Sequence, residues 1–248
     1  MMRYFLIVLL LIFLFYSDAS AQAEIARQRF EQGLINANQN HYEQALKDFR
    51  NALAKHKFAA GSDDEFAAKI NYNIGVCYYR TGQAKESVAY LEAAVKLGKN
   101  KYPKALHALG IVQGELGNRQ AAKDVFTLAV RLDRHDGESW FDLAMIYLEE
   151  NDLKNAAVGF QKSIRYRSVD AATAHNNLGV IVAFADDWLA AEKHFETALA
   201  MSGGKLAEAK LNLELCRAQN FRPDLIARLE FVKKQNKENQ KETEENGN

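Results

Sequence analysis

From Gly137 to Ser163 the chain alternates apolar and polar positions with the period of a helix, is interrupted once, and then resumes. Trp140, Leu143, Ala144 and Tyr147 stand at i, i+3, i+4 and i+7, which puts four side chains on one side of an α-helix. Glu149-Glu150-Asn151-Asp152 breaks the apolar pattern with charge and poor helix formers and predicts a turn. Ala156, Phe160 and Ile164 then recur at spacing four on a second helix. The small Ala144 lets that helix approach closely, while Trp140, Tyr147 and Phe160 supply the apolar area that holds the pair. Two short helices of this kind cannot bury both their faces alone.

The same pattern recurs along the chain. Leu109-Gly110, Ala122, Phe126 and Ala129 repeat it upstream, and Leu178-Gly179, Ala191, Phe195 and Ala198 repeat it downstream. Ile74-Gly75, Tyr78, Gly82, Leu91 and Ala94 form another copy with Ser87 in the alanine slot, and Gly33, Tyr42, Ala45, Phe49 and Ala52 form the first. The small residue advances by 35, 34 and 35 positions from Gly75 through Gly110 and Ala144 to Gly179. This set resembles the tetratricopeptide repeat (TPR) signature, lacking its closing proline, where Arg134 and Ser168 stand. The resemblance implies an all-α TPR solenoid, a right-handed superhelix of antiparallel helix pairs. It would hold five repeats, near 26–57, 68–100, 103–136, 137–170 and 172–204, and a degenerate sixth or capping pair over 205–232, where Glu214 fills the small-residue slot.

The period slips once: Gly33 to Gly75 is 42 residues, so about eight are inserted near Lys57 to Asp64. Gly61 breaks the helix there, and Ser62 with Glu65 is expected to form a capping box that opens the next one. At the far end, Arg222-Pro223-Asp224 starts a helix whose Leu225, Leu229 and Phe231 would cap the last repeat. Residues 233–248 hold nothing apolar after Lys233 and read as a solvated, disordered tail.

Residues 1–21 differ in kind. Arg3 precedes an apolar run from Phe5 to Tyr16, followed by Ser17-Asp18-Ala19-Ser20-Ala21, which reads as a secretory signal peptide cleaved before Gln22. The alternative, a membrane anchor over residues 5–16, would span about 18 Å against a hydrocarbon core of roughly 30 Å. The expected location is outside the cytoplasm, periplasmic if the source is bacterial; the lack of any Asn-x-Ser/Thr sequon leans the same way.

Composition narrows the chemistry. Lysine and arginine total 32, as do aspartate and glutamate, so no net field draws the chain to nucleic acid or anionic lipid. Cys77 and Cys216 lie four repeats apart, too far to bridge within one solenoid. The six histidines are scattered over the repeats without a metal-binding spacing, and no phosphate loop, dinucleotide fingerprint or nucleophile elbow is present. The expectation is a non-enzyme with no cofactor.

What remains is binding. In the TPR family the first helix of each repeat lines a concave groove for a peptide or partner helix. By resemblance, the groove slots lie three before and one after the small residue, a spacing of four on one helix face. The first set is Phe30, Tyr72, His107, Phe141, Asn176 and Leu211; the second is Leu34, Val76, Ile111, Met145, Val180 and Leu215, all apolar. Lys69, Asn73, Tyr79, Arg80 and Lys104 flank them in the first half, and Glu138, Asp142 and Glu149 further on. Phe30 and Leu34 stand where one branch of the family places the Lys and Asn that clamp acidic C-termini, which excludes that role. The expected partner is a peptide or helix with apolar side chains, in an envelope or secretion assembly. The alternatives are a self-associating scaffold, with homo-oligomers filling the groove, or a carrier of an apolar ligand. The second set is equally suited to packing between neighbouring first helices.

Overall fold

The computed structural model describes residues 2–58 and 63–218. Eleven helices and no strand occur among the described residues. They are α1 (Met2–Asn38), α2 (Tyr42–His56), α3 (Asp64–Arg80), α4 (Ala84–Leu97), α5 (Pro103–Glu115) and α6 (Arg119–Leu132). Then come α7 (Gly137–Glu149), α8 (Leu153–Arg165), α9 (Ala171–Phe184), α10 (Trp188–Met201) and α11 (Ala207–Ala218). The expected capping helix from Pro223 and the polar tail lie outside the described residues. The chain divides into two compact units, 1–122 and 123–248, with the division inside α6.

The turn joining the two helices of each pair is built the same way five times. A residue with positive φ ends the first helix: Asn40 (61°), Gly82 (77°), Gly117 (79°), Asn151 (59°) and Asp186 (61°). The next N–H reaches back to a carbonyl five residues earlier, as in His41 to Asn36 (2.9 Å), Gln83 to Tyr78 (2.9 Å) and Asp152 to Tyr147 (2.8 Å). This left-handed closure satisfies carbonyls that the helix end would leave orphaned. Asparagine and aspartate adopt that conformation at lower strain than other side chains, which explains why the interruption at Asn151-Asp152 is a tight turn.

In the α1–α2, α3–α4 and α9–α10 pairs the small residue meets the large one. A Cβ at Gly33 would lie 2.6 Å from the Phe49 ring, and one at Gly179 would lie 2.6 Å from Phe195, so these rings sit directly on backbone. In the α7–α8 pair the arrangement is inverted: Ala144 keeps its methyl, and Gly159 supplies the gap, since a Cβ there would be 2.7 Å from it. Phe49, Phe126, Phe160 and Phe195 are fully buried. Burying a side chain of this size is worth about 1.5–3 kcal/mol, and Phe49, Phe160 and Phe195 act as such wedges in their helix pairs.

One expectation is revised. The cap that opens α3 is Asp63, not Ser62; its carboxylate accepts the Glu65 N–H at 2.9 Å. Asp63 is the last residue with extended backbone (φ −88°, ψ 110°) before the helix, and it therefore holds the position from which a side-chain oxygen reaches the first free N–H groups. Helix α1 runs from Met2 to Asn38 without interruption. The Ala19–Glu24 stretch joining the apolar run to the first repeat is rich in helix formers and contains no glycine or proline. No helix among the described residues is long and apolar enough to cross a membrane. Cys77 and Cys216 are free, buried and in different units.

Candidate functional site

In the first unit, helix α3 carries the predicted groove residues on one side. Lys69 and Arg80 are exposed, and Tyr72, Asn73, Val76 and Tyr79 are half-buried between them. Asn73 Nδ2 donates to the Lys69 carbonyl one turn back (2.8 Å), and Lys69 Nζ pairs with Glu65 at 2.7 Å. Tyr79 donates its hydroxyl to the Glu115 carboxylate of α5, tying consecutive first helices together. On α5, Lys104 is exposed and His107 and Ile111 are half-buried. On α1, Phe30 and Leu34 are half-buried and pack against the core of the α1–α3 region, with Phe30 5.5 Å from Phe49 and 5.3 Å from Phe66 between ring centres.

The sequence did not single out Tyr102, which stands at the start of α5 before Pro103. Its ring meets that of Tyr72 at 5.4 Å and 52°, an aromatic pair drawn from two successive repeats. Burial raises the pKa of Tyr72, against the opposing pull of the Arg80 charge. Burial, then the neighbouring Tyr72 and Glu65, push Tyr102 up to about 12. Both phenols are therefore neutral in the physiological range and present hydroxyls able to donate and accept. Tyr102 also lines an open cleft of about 610 Å³ with Asp63, Asp64, Glu65, Ala68, Lys69, Leu97, Gly98, Lys99 and Lys101. Carboxylates from the start of α3 and lysines from the α4–α5 link thus face one cavity beside an aromatic wall.

The second unit places its predicted groove residues differently. Phe141 and Met145 (each 4% exposed) are inside a core with Ala156, Phe160, Ala174 and Leu178. Asn176 and Val180 are fully buried, Val180 in a core with Phe195 and Leu215. These four side chains are covered by the neighbouring helices of their own unit and present no surface to a partner. The reason is geometric: the slots facing a groove at an open helix face become interhelical slots where the next first helix lies against them. Glu138 is likewise engaged, accepting from Ser168 Oγ (3.1 Å) and Val169 N–H (2.8 Å) in the α8–α9 link.

One pair of the six histidines is not scattered. His175 on α9 and His194 on α10 meet with their Nδ1 atoms 2.9 Å apart. No cluster of three or more His, Cys, Asp or Glu suited to a metal occurs among the described residues.

Comparison with known proteins fits this architecture. The family model for the tetratricopeptide repeat matches residues 30–105 and 107–168, more than half of the chain. The chain belongs to the TPR family. No curated protein sequence matches it. Among solved structures, PilF of Pseudomonas aeruginosa is 18% identical with a TM-score of 0.66, covering 84% of this chain and 90% of its own. YrrB, described as a TPR protein with an unusual peptide-binding site, is 22% identical with a TM-score of 0.59 over 82% of this chain and 97% of its own. MamA of Desulfovibrio magneticus RS-1 is 18% identical with a TM-score of 0.59 over 73% and 97%. At these identities the likeness establishes the fold alone, the all-α TPR solenoid.

Proposed function

We propose that this TPR protein is a non-catalytic adaptor that receives an extended partner segment with apolar side chains along α3 and α5 of its first unit. The observation that carries the reading is the Tyr72–Tyr102 pair, half-buried at 5.4 Å and flanked by exposed Lys69 and Lys104 beside an open cleft. Paired tyrosines offer apolar faces and neutral hydroxyls at low conformational cost, a combination enriched at binding hot spots. Val76 and Ile111 extend the apolar strip, and Asn73 and Arg80 supply polar contacts at its edge. The peptide-binding description of YrrB supports the same use of a TPR surface. The second unit contributes stability through its buried slots.

Selection of random displayed peptides on the full chain tests this. Peptides with aromatic or aliphatic anchors should be enriched, and the double variant Tyr72→Ala/Tyr102→Ala should bind them about a hundredfold or more weakly. The α1–α2 and α3–α4 cores are untouched by these substitutions, so the melting temperature should change little. A double variant that keeps its peptides, or one that unfolds, removes the reading. The adaptor is proposed to act after export with cleavage behind Ala21, in an envelope or secretion-related assembly. N-terminal sequencing of exported material should then begin at Gln22, and recovery of intact Met1 in a membrane fraction would replace export by anchoring.

A further inference from the structure

Among the described residues, the Nε2 atom of His56 is buried without a hydrogen-bond partner. His56 stands on the last turn of α2 and is 7% exposed, and Phe66 meets its ring edge-on at 5.4 Å and 81°, which holds the imidazole in place. A buried nitrogen in this state keeps the full cost of its lost hydration. The ring lines a cavity of about 380 Å³ between the end of α2 and the start of α3, a volume that admits a small molecule.

The wall of this cavity sorts by chemistry. Lys57 follows His56 at the end of α2, so one wall carries an ammonium beside an imidazole able to donate from Nε2. Asp64 and Asn71 stand at i and i+7 on α3, on one face of that helix. Asn71 is buried and uses its Nδ2 on the Ala67 carbonyl (2.8 Å), which leaves Oδ1 to accept. Capping of α3 falls to Asp63, so the Asp64 carboxylate is not consumed there. Lys57 and Asp64 are exposed at the rim, and neither forms an ion pair among the described residues. Leu53, Ala67 and Leu97 supply the apolar remainder.

We infer that this cavity binds the zwitterion of a free aliphatic α-amino acid. The ligand carboxylate accepts from His56 Nε2–H and pairs with Lys57, its ammonium donates to Asp64 and Asn71 Oδ1, and its side chain lies against Leu53, Ala67 and Leu97. A lone carboxylate would meet the like charge of Asp64, and a lone amine that of Lys57; only a molecule with both charges answers both walls.

Calorimetric titration of the full chain with L-leucine tests the site. One leucine should bind per chain. Leucinamide, which lacks the carboxylate, and N-acetylleucine, which lacks the ammonium, should each bind about tenfold or more weakly, a comparison that uses the wild-type chain and needs no variant to fold. His56→Phe keeps a ring against Phe66 but removes Nε2; it should still melt cooperatively and should weaken leucine about tenfold or more. His135→Asn, at a histidine 80% exposed in the second unit, should leave binding unchanged. Absence of saturable binding at millimolar leucine, equal affinity for the three compounds, or wild-type affinity in folded His56→Phe would each overturn the assignment.

Discussion

Asn212 on α11 donates its Nδ2 to Asn176 Oδ1 on α9 at 2.9 Å, and both side chains are fully buried. Asn176 in turn donates to Asn177 Oδ1 (3.2 Å), whose Nδ2 points at Met145 Sδ (3.6 Å). A chain of amides on α9 and α11 thus ends on the Met145 thioether of α7, linking the first helices of three successive repeats. Such contacts act only when all members are present, because each buried amide that loses a partner retains its desolvation penalty. Asn176→Ala should destabilise the second unit by about 1–3 kcal/mol, and hydrogen exchange should show α11 opening first. The degenerate helix therefore stays on the stack through this amide contact together with Leu213, Leu215 and Cys216, which share a core with Val180 and Phe195, although it carries Glu214 where other copies have a small residue.

Removing a wedge should have local consequences. Phe160 is fully buried and 5.8 Å from the Phe141 ring, so Phe160→Ala should cost about 3–5 kcal/mol and expose amides of α7 and α8. Phe49→Ala should expose those of α1 and α2 instead. Hydrogen exchange on both variants checks this: stability in a repeat array is a sum of nearest-neighbour terms, so identical opened sets would contradict it.

Adding one methyl group tests the close approach. Gly179→Ala places a Cβ 2.6 Å from the buried Phe195 ring and should destabilise by about 1–3 kcal/mol. Gly114→Ala, with nothing nearer than Ala122 Cβ at 3.9 Å, should stabilise α5 by about 0.5–1 kcal/mol. Thermal melts of the two variants should shift in opposite directions.

Acidification should loosen the α9–α10 pair. His175 is lowered from 6.5 to about 4 by burial and then by His194, and His194 is lowered by burial and Lys193 against Asp187. A base with a depressed folded pKa binds fewer protons folded than unfolded. Its stability contribution is complete above pH 6.5 and is lost as pH falls toward about 4. After allowing for solvent screening at these half-exposed rings, the loss should be on the order of 1 kcal/mol. His175→Asn should flatten the urea-midpoint profile across that window; an unchanged profile would contradict the account.

The helix pairs and their turns were legible because a period of 34–35 residues and the pairing of a small residue with a bulky one constrain each other. Covering was not. Tyr72 and Phe141 occupy the same slot of the repeat, yet one is half-buried and the other is core, because spacing shows which residues share a face and not which helix lies over it. Tyr102 escaped notice because it precedes α5 and belongs to no helical period. The histidine pair was within reach. His175 and His194 occupy the slots of Trp140 and Gly159, where a Cβ on Gly159 would lie 3.1 Å from the Trp140 carbonyl, so aligning the repeats marks those slots as facing each other. Helical spacing within one segment does not reveal it.

The five left-handed turns also govern what evolution or an engineer can do to the length of this chain. Each turn is closed by a hydrogen bond across a fixed number of residues, so one inserted residue would break that bond. It would also rotate the following helix by about 100°, turning its buried stripe toward solvent. Three links from second helix to first are closed in the same way, by Asn100 N–H to the Val95 carbonyl (2.9 Å), Ser168 N–H to that of Ser163 (3.1 Å) and Gly204 N–H to that of Leu199 (2.8 Å), each after a residue with positive φ, so their lengths are fixed as well. The period slips in the link between α2 and α3, and that link is therefore the site for a tag, a cleavage sequence or an inserted domain.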